Sequence, residues 1–464
     1  MIQIGRKDII WNYAATFLKI ASSALLLPFI LRMMPSETVG IWSVFMTITA
    51  FSYLLDFGFN PSFARNVTYI LSGVRILKIN GFETVSSENQ TIDYGLLKGL
   101  INAMRWFYLR MAIVLLLLLS TLGTYYIYSL LQNYKGDPQE IYLAWGLLCL
   151  INTYNLYTLY YDSLLQGIGL VKRSKQILII GQTIYLVIAS LLIIAGYGLV
   201  AIVSAQASSV IIIRWLSYHS FFTDEIKQKL QIVKPQPKKE VIKAISPNAL
   251  KIGLTSLGGF MVERSAIVIG SLYLTLKEIA SFGITIQLIT VIAGLATIYT
   301  VTYIPRIAQL RISDNNSTIK ELYLKGQIVL LLTYTAGGTV LLLLGEWALK
   351  LIGSQTQLMP RLLILTATVI SFLESNHGIA GMILLSKNEV PFFKASLLSG
   401  GLTVLLLLLF FHLTNSGLWV MIAAPGLVQG AYQNWKWPYE VSRELKITKR
   451  DVSKAIIEFI NLKV

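Results

Sequence analysis

Lys19 and Glu263 each interrupt a long apolar run, and a charge held at such a place has to do something or be neutralised. Left in lipid it costs from about 2.5 to over 10 kcal/mol, so both side chains must face protein or water, and such groups are functional by default. The chemistry open to them is binding of a charged partner and movement of a proton or a cation. Around them polar residues recur at helical spacing. Asn12, Thr16, Lys19 and Ser23 form one stripe; Ser256, Gly259 and Glu263 form another with Arg264 beside it; Asn155, Thr158 and Asp162, Gln287, Thr290 and Thr297, and Ser371, Glu374 and His377 form three more. Stripes on many helices imply a shared polar interior. For Ser, Thr and Asn the alternative is that they bond one another as packing glue.

A second group is cationic. Arg65 and Arg306 stand at the ends of apolar runs, and Arg105 and Arg110 open another. A guanidinium fork binds two oxygens at once, which suits a phosphate or diphosphate, and equally a lipid headgroup. Asp56 is expected to clasp Arg65 across the turn Gly58-Phe59-Asn60-Pro61. Tyr154, Tyr157 and Tyr161 share a face next to Asn155, where rings beside an amide could stack on sugars or pack as core. His219, His377 and His412 are scattered and Cys149 is alone, so neither metal-ligand nor nucleophile–base spacing is present and no enzyme site is expected.

These residues must be held by membrane-spanning helices. The 464-residue chain is 55% hydrophobic and only 13% charged, against roughly 25% charged in soluble domains, and its mean hydropathy is +0.64. Twelve runs are long enough to cross an apolar core about 30 Å thick, at 8–33, 40–59, 106–131, 140–165, 176–195, 197–218, 248–273, 278–304, 323–345, 358–385, 392–412 and 417–437. With the amino terminus inside, 31 of the 39 Lys and Arg fall on the inner side, as the positive-inside rule requires. The net charge of +16 therefore points to anionic headgroups, not to nucleic acid. The expected organisation is a six-helix half at 1–218, a basic cytosolic linker at 219–247, a second half at 248–437 and an amphipathic cytosolic tail at 438–464. The fold class is all-α and polytopic, with twelve transmembrane helices in two pseudo-symmetric halves around a central cavity.

Two further patterns bear on origin. Shifted by 241 residues, Glu37 falls on Glu278, Ile48 on Ile289, Thr49 on Thr290, Leu54 on Leu295 and Arg65 on Arg306, a faint repeat of the kind found in transporters. Then Leu27-Pro28, the turn from Pro35 to Gly40, Leu54-Leu55-Asp56-Phe57-Gly58 followed by Arg65, Leu165-Gln166-Gly167 before the basic loop from Lys172 to Lys175, the run from Gly258 to Gly270 containing Glu263-Arg264, and Ala280-Ser281-Phe282 together resemble the O-antigen flippases and polysaccharide export proteins of the multidrug/oligosaccharidyl-lipid/polysaccharide (MOP) exporter superfamily. That family usually has Asp where this chain has Glu263 and Gly where it has Ser281.

The resemblance implies a flippase, not an enzyme, that carries an undecaprenyl-diphosphate-linked oligosaccharide from the cytosolic to the periplasmic leaflet of a bacterial inner membrane. Lys19, Arg65, Arg264 and Arg306 would hold the diphosphate. Glu263 or Glu374 would be the coupling carboxylate, for H+ or Na+, and no other cofactor is expected. Tyr154, Asn155, Tyr157 and Tyr161 would meet the sugars, membrane lipids and polymerase machinery would be neighbours, and the chain would work as a monomer with both termini cytosolic. A multidrug antiporter of the same superfamily is the alternative, and a glycolipid polymerase or ligase a weaker one.

Overall fold

The computed structural model describes residues 11, 17, 18, 22, 25–74, 92–132, 134–312, 315–386 and 391–461. Among these, all regular structure is helical: α1 Ser36–Leu54, α2 Phe59–Leu71, α3 Tyr94–Leu131 with one π-helical turn at Leu119–Gly123, α4 Pro138–Tyr157, α5 Tyr160–Gly167, α6 Val171–Ile194, α7 Gly198–Phe221, α8 Asp224–Ile232, α9 Lys238–Glu263, α10 Ser265–Gly270, α11 Leu276–Ile312, α12 Asn316–Leu351, α13 Arg361–Leu385, α14 Phe393–Leu413, α15 Leu418–Ala431, α16 Gln433–Glu444 and α17 Lys449–Asn461. Seven of them, α3, α6, α7, α11, α12, α13 and α14, are long and apolar enough to cross a membrane. The pair α1 and α2, bent by 42°, makes an eighth if counted as one crossing.

The chain forms two compact units, one of residues 1–34 and 44–257 and one of 35–43 and 258–464. In the first, α6 packs on α7, α4 on α7, α3 on α4 and α2 on α5. In the second, α11 packs on α12, and α13 packs on α11, α12 and α16. The core there includes Ile319, Tyr323, Leu330, Ile379, Ile383 and Trp437. Small residues allow the closest approaches, the usual device where lipid supplies no hydrophobic drive between helices. A Cβ on Gly258 of α9 would lie 2.5 Å from the Ser396 carbonyl, and one on Gly400 of α14 would lie 2.8 Å from the Gly258 oxygen.

Helix starts follow capping chemistry. Asp93 accepts the Leu96 N–H at 2.8 Å before α3, and Asp137 accepts the Gln139 N–H at 2.9 Å before α4, with Pro138 in the first position. Thr275 and Glu278 cap α11 reciprocally, the Thr275 N–H donating to Glu278 Oε2 at 2.9 Å and the Glu278 N–H to Thr275 Oγ1 at 3.3 Å, a capping box. The 241-residue repeat thus aligns two acidic first turns, Glu37 in α1 and Glu278 in α11. Beyond them local structure diverges: α11 runs unbroken to Ile312, whereas α1 stops at Leu54. The stop is made by Phe57 and Gly58, both at positive φ, 46° and 70°, and by Asp56, whose carboxylate accepts the Asn60 N–H at 3.0 Å. Gly253 of α9 leaves room for this bend, since a Cβ there would sit 2.6 Å from Phe57 Cα.

The 219–247 segment is largely helical, as α8 and the start of α9, and its connection is strapped to the head of α3. Lys98 Nζ donates to the Val233 carbonyl at 2.8 Å and the Gln236 N–H to the Gly95 carbonyl at 3.1 Å. Gly99 makes the strap possible, because a Cβ there would meet the Gln236 oxygen at 2.8 Å.

The tail begins within α16, which contains Pro438, and continues as α17. A second capping box starts α17: the Thr448 N–H donates to Asp451 Oδ2 at 2.8 Å and the Asp451 N–H to Thr448 Oγ1 at 3.3 Å. The same oxygen meets Lys320 Nζ of α12 at 3.1 Å. The Thr448 amide and hydroxyl, and then Lys320, hold the Asp451 carboxyl down at about 2. Because the folded value lies below the unfolded one of about 3.9, this latch is fully present above pH ~4 and is lost as pH falls through about 2. A nitroxide on a cysteine introduced at Ser453 is therefore expected to keep its line shape from neutral pH down to about 4 and to loosen only below it. Asp451→Asn should loosen it already at neutral pH, and an unchanged spectrum in that variant would contradict the latch.

Candidate functional site

Each unit carries a polar constellation of its own. In the first, the buried Arg214 of α7, 4% exposed, joins three helices. Its Nη1 donates to Asp162 Oδ1 of α5 at 2.7 Å, while Nε and Nη2 donate to Asn155 Oδ1 of α4 at 3.2 and 2.6 Å. Asn155 in turn donates from Nδ2 to the Tyr53 hydroxyl of α1 at 2.7 Å. The planar guanidinium serves two acceptors at fixed angles, which an ammonium would not do. Next to this set, the Tyr108 hydroxyl donates to Asp56 Oδ1 at 2.5 Å, and Ser163 donates to Asn60 Oδ1 at 2.9 Å.

Several expected partners are different in the structure. Asp56 does not clasp Arg65: its oxygens are taken by Tyr108 and the Asn60 amide, and Arg65 lies exposed on α2 without an ion pair among the described residues. Proximity along the chain suggested the wrong partner, because the carboxylate is taken by the Asn60 amide at the bend and by Tyr108 of α3. The Tyr154, Tyr157 and Tyr161 face is also interrupted, since the helix breaks at Thr158 and Leu159. Tyr154 is exposed, Asn155 is buried in the Arg214 set, and Tyr161 packs edge-on to Tyr218 at 5.9 Å and Phe222 at 6.4 Å. Arg105 sits over the rings of Tyr160 and Phe222 at 6.0 and 5.7 Å, and Arg110 over Trp106 at 3.9 Å, geometry that aromatic faces favour for a cation.

In the second unit a cavity of about 320 Å³ gathers Glu263, Arg264, Thr290, Ser371, Glu374 and Ser375 within walls that include Ile286, Ile289, Ile370, Met421 and Pro425. Glu263 ends α9, and Arg264 is the single non-helical residue, φ −121° and ψ −20°, before α10. The break sets two opposite charges at the cavity lip in consecutive positions. From α13, Ser371, Glu374 and Ser375 project into the same space, as their spacing of three and four residues requires. His377 is not among the lining residues; its Nδ1 pairs with Asn434 Oδ1 of α16 at 2.7 Å. Arg306 lies exposed toward the end of α11, outside the cavity. Lys19, with Asn12, Thr16 and Ser23, lies outside the described residues.

The sequence stripes thus brought Glu263, Arg264, Thr290, Ser371 and Glu374 to one place. What they passed over is Arg214, a cation inside the apolar run 197–218. It lies seven residues before the end of α7, about 10 Å at 1.5 Å per residue, and the cost argument applied to Lys19 flags it equally.

No family model matches the sequence, and no curated protein matches it. Solved structures do. The inward closed conformation of the lipid II flippase MurJ is 12% identical and covers 98% of this chain and 93% of its own, with a TM-score of 0.61. An inward-facing multidrug resistance MATE family transporter of the MOP superfamily is 16% identical over 94% of this chain and 96% of its own, at 0.58. A MOP superfamily transporter from Pyrococcus furiosus, described as having a binding pocket of reversed polarity that suggests a different function, is 16% identical over 95% of each chain, at 0.53. At these identities the likeness is one of fold, and the chain has the fold of the MOP superfamily transporters, MATE antiporters and the MurJ flippase among them.

Proposed function

We propose that this protein is a flippase that moves an undecaprenyl-diphosphate-linked oligosaccharide, an O-antigen or other surface-polysaccharide unit, from the cytosolic to the periplasmic leaflet of a bacterial inner membrane. The observation that carries this reading is the match of nearly the whole chain to the fold of a lipid II flippase. Twelve crossings are made from the seven long apolar helices, the bent or broken pairs α1–α2, α4–α5, α9–α10 and α15–α16, and the segment 8–33. Both termini are then cytosolic, and the basic linker and tail meet anionic headgroups. Lys19, Arg65, Arg264 and Arg306 take the diphosphate; Tyr154 and Tyr157 face the sugars, while Asn155 and Tyr161 serve the packing of the first unit; Glu263 and Glu374 bind the coupling H+ or Na+. The cycle is alternating access of the halves 1–218 and 248–437, in a monomer that hands its product to polymerase machinery.

A second reading, antiport of multidrug or other small-molecule cations, is favoured by one feature, the carboxylate-lined cavity of the second unit. Leaflet translocation in proteoliposomes with a fluorescent lipid-linked oligosaccharide separates the two. The flippase reading expects the fluorophore to become accessible on the opposite leaflet at a rate at least about tenfold above protein-free vesicles, and Lys19→Ala to slow it. No movement of any diphosphate-linked sugar, together with uptake of a cationic dye, would replace the flippase with the antiporter.

A further inference from the structure

Four helices of the second unit are tied together by one side chain. Arg311, next to the last residue of α11, donates from Nε to Ser386 Oγ just past α13 at 3.2 Å, and from Nη1 to Asn316 Oδ1 at the start of α12 at 3.1 Å. The same Nη1 meets Oε1 of Glu444, the last residue of α16, at 2.6 Å. Ser386 is free to accept because its own proton goes to the Ile383 carbonyl at 2.6 Å. The ion pair is largely buried, its two side chains 13% and 19% exposed. Nη2 is buried as well and has no hydrogen-bond partner among the described residues. The guanidinium is therefore held without being fully satisfied, which lowers the barrier to leaving this arrangement.

Just past Glu444 the chain turns into α17. The Ile447 N–H closes the turn on the Ser442 carbonyl at 2.9 Å, and Lys446 within it has φ 50°. That is the left-handed position at a helix end which glycine usually fills, so a residue with a Cβ is strained there. Beyond the turn a second cation takes over. Lys320 Nζ of α12 binds Asp451 Oδ2 at 3.1 Å and the Lys446 carbonyl at 3.4 Å. This contact is more open, its charged side chains 23% and 30% exposed. The tail is thus fastened twice, by a latch from α17 to Lys320 and a clasp from Glu444 to Arg311, with the strained turn between them.

We infer that the tail is a two-step fastening on the second unit that opens from its free end: the α17 latch lets go first, and only release of Glu444 from Arg311 frees the joined ends of α11 and α12 from the end of α13. The order follows from burial. Salt and water weaken an open ion pair, whereas a buried one is screened much less. Relief of the turn at Lys446 favours a swing of α17 alone, while α16 stays packed on α13. The consequence follows from what α11 and α13 carry. Ile286, Ile289 and Thr290 on the one, and Ser371 and Glu374 on the other, wall the polar cavity. A clasp across the ends of these helices sets how far the two walls can part. The device needs no particular cargo and serves a flippase or an antiporter equally.

The test uses the full chain carrying Cys149→Ala, in vesicles of phosphatidylethanolamine and phosphatidylglycerol. A nitroxide on a cysteine at Ser453 reports the latch. A pair of nitroxides at Ser317, exposed in the first turn of α12, and Leu385, exposed at the end of α13, reports the clasp through the distance between them. Asp451→Asn should mobilise the Ser453 label and leave that distance unchanged. Salt raised from about 0.1 M to about 1 M, which shortens the screening length from about 10 Å to about 3 Å, should do the same. Glu444→Gln should add a second, longer distance, and the charge exchange Arg311→Glu with Glu444→Arg should remove it again. Should Glu444→Gln fail to fold, Glu444→Asp, still charged but one methylene short of Arg311, is expected to show the longer distance in part. A longer distance already present in Asp451→Asn would overturn the order of the two steps, and a single unchanged distance in Glu444→Gln or in its folded substitute Glu444→Asp would overturn the clasp.

Discussion

Arg214→Ala is expected to be the most damaging single substitution in the first unit, lowering stability by about 3–5 kcal/mol. The guanidinium is 4% exposed and makes bonds of 2.7, 2.6 and 3.2 Å to Asp162 and Asn155. Deleting it leaves the half-buried Asp162 carboxylate and the buried Asn155 amide oxygen without their donor, and the cost of stranding such groups exceeds what the pair contributes when intact. It also unties α7 from α4 and α5, because Arg214 links all three. Arg214→Lys should recover only part of the loss, since one ammonium does not span both acceptors in the plane they define. The thermal unfolding midpoint in detergent measures this. Asp162→Asn alone should cost less than Arg214→Ala, and the double variant Asp162→Asn with Arg214→Gln less than the sum of its parts, because both changes act on one network. A midpoint for Arg214→Ala equal to that of the wild type would show that the network carries no stability.

The same constellation shows what a sequence of this kind discloses. Hydropathy and charge placement are properties of the chain itself, so long apolar helices such as α6, α7 and α14 were legible at once. So were the polar stripes that carry Glu263 and Glu374, because a spacing of three and four residues fixes which face a side chain takes; that the two stripes meet in one cavity is shown by the packing. The breaks were only partly legible. The stop at Phe57-Gly58 falls at the turn expected from Gly58 to Pro61, but Thr158 and Arg264 each stop a helix inside a run, 140–165 and 248–273, that hydropathy carries straight through. The stop at Gly58 is set by a carboxylate that captures a backbone amide and by a glycine, Gly253, almost two hundred residues away that makes room for it. Asp56 illustrates the general limit. Its local candidate was Arg65, nine residues on, and its actual partner is Tyr108 on another helix, a contact that only tertiary packing creates. Tyr161 is similar: the break at Thr158 takes it off the face of Tyr154 and sets it against Tyr218 and Phe222.

Glu374→Gln is expected to remove the response of transport to an ion gradient while leaving the protein folded. The cavity brings Glu263, Glu374 and Arg264 together within largely apolar walls. Two carboxylates and one guanidinium leave one negative charge uncompensated, and charge in such a place must be balanced. One added proton or one sodium ion does so, and its arrival and departure is the event that a gradient can drive. Gln keeps the size and hydrogen-bonding reach of the side chain but carries no charge, so Arg264 then balances Glu263 alone and the cation has nothing left to neutralise. Gradient-driven translocation should fall by about ten- to a hundredfold, equivalent to about 1.4–2.7 kcal/mol of lost coupling. Exchange at zero gradient should persist if the flippase reading holds, because the residues proposed to hold the diphosphate are untouched. Glu263→Gln should have the opposite electrostatic emphasis, leaving Arg264 beside a neutral neighbour and the carboxylate of Glu374 as its nearest anion in the cavity. The two variants, assayed in proteoliposomes with imposed proton and sodium gradients of either sign, decide whether the pair works as one site. If Glu374→Gln keeps both its rate and its gradient dependence, Glu374 is not the coupling group; on the flippase reading the membrane potential acting on the proposed anionic cargo, worth about 2.3 kcal/mol per charge per 100 mV, is then the driving force to test.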